Sequence, residues 1–334
     1  MIPRAPPEAR WVPSRGPREL RAAQLERILA PVRPGCRVVD ARPLSEGRRN
    51  TNFDVHLDGG EHLVVRVCEH DRSLCAKELY LLDHVRGRVP VPDVIHAEPD
   101  GFEDLPPVFV MRLVEGMTLR DLKRSGNRAA LADAVRSVGE TLAEIGRTTF
   151  PAPGWLGPRL AVGAPLADGP DPTPRFVEAC LESPRLGARV AAELRDQARA
   201  LVWAEADRLA ALDRQSSLVH GDINRRNLLV RPIRGRWAVC AVLDWEFAVS
   251  GSPLVDVANF LRYERRRSPR FEPHFSAGYL EAGGELPEDW QRLARVVDLT
   301  ASCESLTREE LPPDVVSELV ELVRATVEDR DPEL

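Results

Sequence analysis

The residues that could do chemistry are concentrated in one stretch of the chain, from Ser217 to Phe260. Within it a His-Gly-Asp tripeptide ends at Asp222, Asn227 follows five residues later, and Asp244 closes an apolar run after a turn-like segment. Carboxylate and amide oxygens are ligands that Mg²⁺ prefers, and a further carboxylate can orient and deprotonate a hydroxyl. Transfer of a phosphoryl group from a nucleotide requires these parts. A polar turn closed by an Asx bond is the alternative interpretation.

Two strands must bring these residues together. The apolar runs LLVRP and WAVCAVLDW are separated by a turn at residues 233–235, so they predict a hairpin between Asn227 and Asp244. Around this hairpin the pattern predicts helices, over Ala129–Arg147, over Arg185–Leu212 and again after Ser252. The Pro- and Gly-rich segment between the first two helices predicts a loop.

The part of the chain before Glu115 has a different pattern. Short apolar runs between Val38 and Val114 predict strands, with a hairpin turn at residues 58–60. Apolar residues at helical spacing in SLCAKELYLLDHVR predict one helix, which Ser73 could cap. We therefore expect an α+β fold, with a small β-rich N-lobe around one main helix and a larger helical C-lobe. The expected boundaries are a loose lead-in at 1–20, the N-lobe at 21–114 and the C-lobe at 115–334.

The catalytic stretch also carries a resemblance. HGDINRRN followed by VLDWE resembles the aminoglycoside phosphotransferase and choline kinase superfamily, small-molecule relatives of the protein kinases. The resemblance implies the two-lobed protein-kinase-like fold, with Asp222 as catalytic base and Asn227 and Asp244 as Mg²⁺ ligands. It also implies that His220 is a structural residue of the catalytic loop and that Asp256, in PLVDVANF, braces that loop through its backbone.

In the N-lobe the resemblance is weaker. LSEGRRNTNFDV is similar to the family's short nucleotide loop, which implies that Gly47 and Asn50 lie near phosphate; an ordinary hairpin turn is the alternative. The segment from Met111 to Val114 would be the hinge, where the backbone of Met111 and Leu113 bonds the adenine; an interior strand end is the alternative.

Arg66, in HLVVRV, lies where protein kinases place the lysine that grips the α- and β-phosphates, and Glu78 matches its ion-pair partner. Arginine at this position departs from the protein-kinase pattern and is familiar among the small-molecule members. A guanidinium keeps the charge and can bind phosphate and carboxylate oxygens in a fork. The competing interpretation places Arg66 on the outer face of a strand.

Charge and composition limit the partners. Residues 271–334 contain 16 Asp and Glu against five Arg, a net charge of −11. The formal net charge of the whole chain is −6, so residues 1–270 have a net charge of +5. An acidic C-terminal segment disfavours nucleic acid and is compatible with a cationic ligand, although a solvated helical surface would look the same. No apolar run approaches the roughly 20 residues that span a bilayer, and the N-terminus lacks a secretory pattern. The six cysteines have no metal-ligand spacing, so reduced thiols in a cytoplasmic protein are expected.

The leading hypothesis is an ATP- or GTP- and Mg²⁺-dependent kinase that phosphorylates a hydroxyl of a small molecule, with a cationic, aminoglycoside-like antibiotic favoured. Macrolides, cyclic peptide antibiotics, amino alcohols and sugars are alternative acceptors. A nucleotide-binding regulator without turnover is the alternative of another class, because Arg66 replaces a lysine. A protein kinase is third, because only 12 residues separate Asp244 from Asp256 and no activation segment fits there.

Overall fold

The computed structural model describes residues 19–44, 50–69, 72–165, 168–263 and 270–330. Its N-terminal part is a five-stranded antiparallel sheet of strand order β1-β2-β3-β5-β4, with a helix on each face. The elements of this lobe are α1 (Ala22–Leu29), β1 (Val38–Pro43), β2 (Asn50–Leu57), β3 (His62–Cys68), α2 (Arg72–Val85), β4 (Val94–Glu98) and β5 (Val108–Arg112).

Side-chain alternation on the strands explains why both faces of the sheet are covered. Phe53 and Val55 of β2 lie on one face, where they share a buried cluster with α1. Val64 of β3 and Phe109 of β5 lie on the other face, in the larger core that includes Leu81 of α2. The face that holds α2 is also the face from which Arg66 projects, two residues along β3 from Val64. The sheet therefore positions this arginine toward the second lobe.

The second lobe is mainly helical. Its elements are β6 (Met117–Thr118), α3 (Leu119–Arg124), α4 (Arg128–Gly146), β7 (Gly154–Trp155), α5 (Pro172–Leu181), α6 (Pro184–Arg189), α7 (Ala192–Ala204), α8 (Ala206–Asp213), β8 (Ser217–Val219), β9 (Leu228–Ile233), β10 (Arg236–Val242), β11 (Val249–Gly251), α9 (Leu254–Leu261), α10 (Glu272–Glu281), α11 (Trp290–Leu306) and α12 (Pro313–Val327). Its short strands form two three-stranded sheets, β10-β9-β6 and β7-β11-β8. The segment between β8 and β9 and the segment between β10 and β11 meet between these sheets.

Helix α4 is packed closely against α10 through two glycines. A Cβ on Gly139 would lie 2.2 Å from the carbonyl oxygen of Phe275, and a Cβ on Gly278 would lie 2.1 Å from that of Arg136. Any larger residue would push the two helices apart, because protein interiors leave no spare volume at such a crossing.

The predicted fold class is confirmed: an antiparallel N-lobe sheet with one main helix precedes a helical C-lobe. The predicted hairpins at residues 58–60 and 233–235 and the helix near Ala129–Arg147 are present. Among the described helices, none combines the length and apolar character needed to cross a membrane.

Two local predictions were wrong. The single helix over Arg185–Leu212 is instead α6, α7 and α8, because Val190 adopts an extended conformation that buries its side chain, and a second break falls at Glu205. Ser73 does not cap α2, which already begins at Arg72. The predicted loop after α4 is present in the described residues, with the two-residue strand β7 inside it and α5 beginning at Pro172.

Candidate functional site

The catalytic loop runs from β8 to β9 and is held together by its own amides. The side-chain N–H group of Asn227 donates to Oδ2 of Asp222 at 2.9 Å and to its backbone carbonyl at 3.0 Å. Asn224 donates to Oδ1 of Asp222 at 3.2 Å. Both carboxylate oxygens of Asp222 therefore have a fixed amide donor, which orients the carboxylate without neutralising it.

His220 is a neutral, structural residue of this loop. Its Nε2 lies 2.9 Å from the carbonyl oxygen of Leu243, so it donates there, and its Nδ1 accepts the backbone N–H of Asp222 at 3.2 Å. Burial lowers the pKa of His220 to about 4, against the opposing effects of the Leu243 carbonyl and Asp244. Its ring contacts that of Trp245, with centroids 4.6 Å apart. The histidine thus ties the loop to the segment that follows β10.

Gly221 and Asp256 set the backbone of the loop. Gly221 has a φ of 81°, and a Cβ there would lie 2.6 Å from the carbonyl oxygen of Phe247, so conformation and space both require glycine. The carboxylate of Asp256 accepts the backbone N–H of His220 at 2.7 Å and of Gly221 at 2.9 Å. Burial raises the pKa of Asp256 to about 7, while these two hydrogen bonds oppose the rise. The structure thus places Asp256 directly behind the loop.

The environment of Asp222 suits a proton acceptor. Burial raises the pKa of Asp222 to about 6; the bonds from Asn224 and Asn227 lower it, and the charge of Asp244 raises it further. A carboxylate with this pKa is ionised at neutral pH and is more basic than an exposed one.

Asp244 follows β10 and lies next to Asn227. The backbone N–H of Leu243 donates to the carbonyl oxygen of Asn227 at 2.8 Å, which holds the two segments side by side. Asp244 has φ 62° and ψ 66°, a left-handed conformation that is strained for a residue with a Cβ. Such strain persists only where the surrounding structure imposes it, and here it turns the carboxylate toward Arg66.

The donor set at this point fits Mg²⁺. The amide N–H of Asn227 is used by Asp222, which leaves its Oδ1 as the side-chain atom for a metal, and Asp244 supplies a half-exposed carboxylate. All of these donors are oxygens, and the partial exposure leaves positions for water and phosphate, as Mg²⁺ sites require.

Arg66 joins the two lobes. Its guanidinium lies 3.0 Å from Oε2 of Glu78 on α2 and 2.6 Å from Oδ1 of Asp244. Both Arg66 and Glu78 are buried, so this is a desolvated ion pair. Burial acts to lower the pKa of Arg66, but Glu78 and Asp244 outweigh it and raise the pKa. Burial raises the pKa of Glu78 to about 7, and Arg66 opposes the rise. We treat the pair as ionised because an arginine does not lose its proton in proteins.

The outcome for the remaining nucleotide residues is mixed. Asn50 begins β2, and its side-chain N–H donates to Oε2 of Glu246 at 3.2 Å, a contact that links the N-lobe to the segment after Asp244. Gly47 lies outside the described residues. Met111 is buried near the end of β5 with its side chain in the larger core, and Leu113 follows the strand at the connection between the lobes.

Two groups of functional interest were missed at the level of sequence. Lys77 is buried beside Glu78 on α2, and its Nζ donates to the carbonyl oxygen of Ala248 at 3.2 Å, which attaches α2 to the segment between Asp244 and β11. A lysine one residue from the expected glutamate on a predicted helix was the available signal.

The second group supports the catalytic loop from α9 and α11. Asn259 donates to the carbonyl oxygen of Gly221 at 3.3 Å, and Arg262 donates to Oδ1 of Asn259 at 2.5 Å. Arg262 also donates to both oxygens of Asp298, at 2.8 Å in each case. The three-residue spacing of Asp256, Asn259 and Arg262 places them on one face of a helix, which the sequence did show.

A cavity of about 400 Å³ lies between α9, α11 and α12, and Arg262, which bonds Asn259 behind the loop, is one of its lining residues. Its walls carry both signs of charge. The charged residues that line it are Arg262, Arg270, Arg292, Arg295, Arg330, Glu272, Asp289, Asp298 and Asp329.

The two-lobed fold, with a buried arginine–glutamate pair above a His-Gly-Asp loop, is that of a kinase-type phosphotransferase. The chain belongs to the phosphotransferase enzyme family abbreviated APH, whose profile matches residues 40–296.

One curated relative is acyl-CoA dehydrogenase family member 11 of Gallus gallus, which is 27% identical over 245 residues. The match covers 70% of this chain and 30% of that protein, so the chain spans under a third of its relative's length.

Solved structures share the fold over nearly the whole chain. A thermostable mutant of aminoglycoside phosphotransferase APH(4)-Ia, in ternary complex with AMP-PNP and hygromycin B, superposes with a TM-score of 0.64 at 23% identity, over 91% of this chain and 98% of that one. The GDP and kanamycin complex of APH(2")-IIia gives a TM-score of 0.67 at 18% identity, over 92% and 99% of the two chains.

Proposed function

We propose that this protein transfers the γ-phosphoryl group of ATP or GTP to a hydroxyl of a small molecule, with Asp222 as the base. The observation that carries the proposal is the carboxylate of Asp222, partly buried, oriented by two amides and close enough to Asp244 for that charge to raise its pKa. In this reaction Asp222 accepts the hydroxyl proton, the hydroxyl oxygen bonds to the γ-phosphorus, and the bond from that phosphorus to the β-phosphate oxygen breaks.

The other residues of the site bind and orient. Asn227 and Asp244 hold Mg²⁺, which when bound neutralises charge on the nucleotide phosphates. Arg66 directs its guanidinium to phosphate oxygens and is kept in place by Glu78. Asn50 approaches the phosphates, and the backbone around Met111 and Leu113 receives the base.

The first acceptor class that we propose is a polyhydroxylated amine of the aminoglycoside type. The similar solved structures carry hygromycin B and kanamycin, and the C-terminal segment of this chain is acidic. Helices α9, α11 and α12 would form one wall of the acceptor site, next to the catalytic loop.

A second acceptor class is supported by the curated relative, which is named for acyl-CoA chemistry. A hydroxylated acyl-CoA thioester would present its hydroxyl to Asp222, and its negative charge would lie on the phosphates of the coenzyme A part.

The test is a phosphate-transfer screen with the full chain, Mg²⁺ and either ATP or GTP. The panel contains aminoglycosides, amino alcohols, neutral macrolides, sugars and hydroxyacyl thioesters, and product is detected by mass spectrometry as the acceptor plus one phosphoryl group. The Asp222→Asn variant is run in parallel as the inactive control. A product formed equally well by that variant would contradict the assignment of Asp222.

The screen also separates the two classes of function. Nucleotide binding by calorimetry, together with no phosphorylated product across the panel, would favour a regulator that binds nucleotide without turnover. A phosphorylated acceptor that requires Asp222 would support the kinase.

A further inference from the structure

A second cluster of ligand-type side chains lies on the N-lobe sheet, apart from the catalytic loop. His56 of β2 and His62 of β3 are directly opposite each other across the strand pair, and their ring centroids are 3.8 Å apart. Asp54 precedes His56 by two residues, so it projects from the same face. The β2–β3 hairpin therefore presents two imidazoles and one carboxylate at one point.

The distances between the ligand atoms of this cluster are close to those found around a bound metal ion. Nε2 of His56 lies 3.0 Å from Oδ2 of Asp54, and Nδ1 of His62 lies 3.5 Å from Oδ1. One ligand atom from each of the three residues lies within 4.8 Å of the other two. Ligands held at about 2.0–2.2 Å from one tetrahedral ion are separated by roughly 3–4 Å. Small side-chain rotations thus suffice to enclose an ion.

The surroundings of Asp54 favour the binding of a cation. Among the described residues, Oδ1 of Asp54 has no hydrogen-bond partner although it is shielded from solvent. Arg42 lies opposite Asp54 on the neighbouring strand, but its Nε is 2.6 Å from Asp40 instead. A buried carboxylate oxygen without a donor is costly unless something positive binds it.

We propose that Asp54, His56 and His62 form a binding site for a divalent transition-metal ion such as Zn²⁺ or Ni²⁺. Two imidazoles and a carboxylate suit Zn²⁺, Ni²⁺ and Cu²⁺, whereas Mg²⁺ prefers oxygen ligands throughout. The side chain of His62 is 41% exposed, so water completes the coordination and the ion exchanges with solvent.

The position of this site links it to the nucleotide pocket. In the β2–β3 register Asn52 is opposite Arg66 and Asp54 is opposite Val64, so the site continues the face on which Arg66 lies. With a rise of about 3.3 Å per residue, Asp54 is roughly 7 Å from Asn52 along β2. An ion there cross-links β2 with β3, the strand that carries Arg66.

The experiment titrates the full chain, without an affinity tag, with ZnCl₂ in the absence of Mg²⁺ and nucleotide. Calorimetry should show one equivalent of Zn²⁺ bound, and replacement of Zn²⁺ by Co²⁺ should give the visible absorption of a nitrogen- and oxygen-ligated ion. His56→Ala and His62→Asn should each weaken binding by at least about tenfold, because even residues that only support metal ligands are worth 10–100-fold.

The matched control is His96→Ala. His96 lies on β4 with Glu98 at 3.0 Å, a comparable histidine–carboxylate pair in the same sheet that lacks a second histidine. It should leave Zn²⁺ affinity unchanged. Circular dichroism of the metal-free variants checks that they fold, and His62→Gln replaces any variant that does not.

The proposal is overturned if no Zn²⁺ binds at micromolar concentration, or if binding persists unchanged in both histidine variants. Equal weakening by His96→Ala would also overturn it, because the binding would then be distributed over surface histidines. Loss of binding in Asp244→Asn alone would place the ion at the catalytic loop instead.

Discussion

The catalytic centre and the wall formed by α11 and α12 are both rich in carboxylates, yet they use them differently. At the centre, burial raises the pKa values of Asp222, Asp256 and Glu78, and the partners of the first two are neutral N–H donors. On the wall, carboxylates face arginines: Glu304 lies 2.7 Å from Arg308, for example. Carboxylates thus produce a strong local field in one region, whereas in the other many of them are paired with arginines.

The difference shows that the net charge of a segment does not by itself predict attraction of a charged ligand. The acidic count of residues 271–334 suggested attraction of a cationic acceptor, but Asp298, Glu321 and Asp329 are each within ion-pair distance of an arginine. In the same segment Glu304 pairs with Arg308, and Glu309 lies 3.4 Å from Arg185. A field that steers a ligand depends on charges that remain uncompensated.

The largest effect is expected at Asp222. Asp222→Ala should lower kcat by about 10²–10⁴-fold, the range usual for a general base, with little change in nucleotide affinity. Steady-state kinetics on the acceptor identified by the screen measures it. Asp213→Asn is the matched control, because Asp213 is a partly buried carboxylate whose pKa burial also raises, bonded to Thr173 away from the loop. Turnover near that of the wild type in Asp222→Ala would remove this residue from the chemistry.

The second-largest effect is expected at the buried ion pair of Arg66 and Glu78. Arg66→Met leaves Glu78 buried without its counter-charge and should lower the free energy of unfolding by about 3–5 kcal/mol. On the wall, Arg308→Met should change it by less than about 1 kcal/mol, because the Glu304 pair is solvent-exposed. Urea denaturation of both variants measures the contrast. Recovery of stability in Arg66→Met/Glu78→Met would confirm that the cost is the unpaired charge; equal effects of the two single substitutions would contradict the comparison.

The pH profile should report the buried carboxylates. The pKa of Asp222 is raised to about 6 and in the proposed reaction its ionised form is the base, so protonation of this group alone should lower kcat/KM about tenfold per unit as pH drops below 6. The pKa of Asp256 is about 7, and its ionised form accepts the two loop N–H groups, so the decline should begin near neutrality. In Asp256→Asn the early part of the decline should disappear and the part near pH 6 should remain. A flat profile from pH 5 to 8 would count against both assignments.

The smallest effect is expected from ionic strength. Screening acts over roughly 8 Å at physiological salt, so kcat/KM for a cationic acceptor should fall as salt rises, chiefly through KM. The arginine partners on the wall should limit this fall to a few-fold. The same titration with a neutral acceptor is the control. A best acceptor that is neutral and insensitive to salt would mean that the acidic segment is a solvated surface only.

Much of the centre could be predicted because its signals are local. The spacing from His220 to Asn227 and the period-2 pattern of β9 and β10 lie within 23 residues, so the hairpin could be inferred before the structure. The bond between Arg66 and Asp244 spans 178 residues and could be expected only from family resemblance.

Other features depended on tertiary packing that no local pattern specifies. The link from Gly221 through Asn259 and Arg262 to Asp298 requires α9 to lie against α11, and the break at Val190 arises because the core takes its side chain. The helical pattern after Ser252 placed the acidic residues of 271–334 on helices, but it could not show which arginines lie opposite them.

The short span from Asp244 to Asp256 has a consequence for control in the cell. This span contains a 3₁₀ turn and β11, which pairs with both β7 and β8. Lys77 of α2 donates a hydrogen bond to Ala248 in the same span. Protein kinases are switched by phosphorylating a long segment here and moving the helix beside it. In this chain that segment is replaced by paired strand and the helix is already in place. The rate of the proposed phosphoryl transfer should therefore depend on the amount of protein and on the concentrations of its two substrates. It should show no lag after enzyme and substrates are mixed, and it should not depend on an upstream kinase.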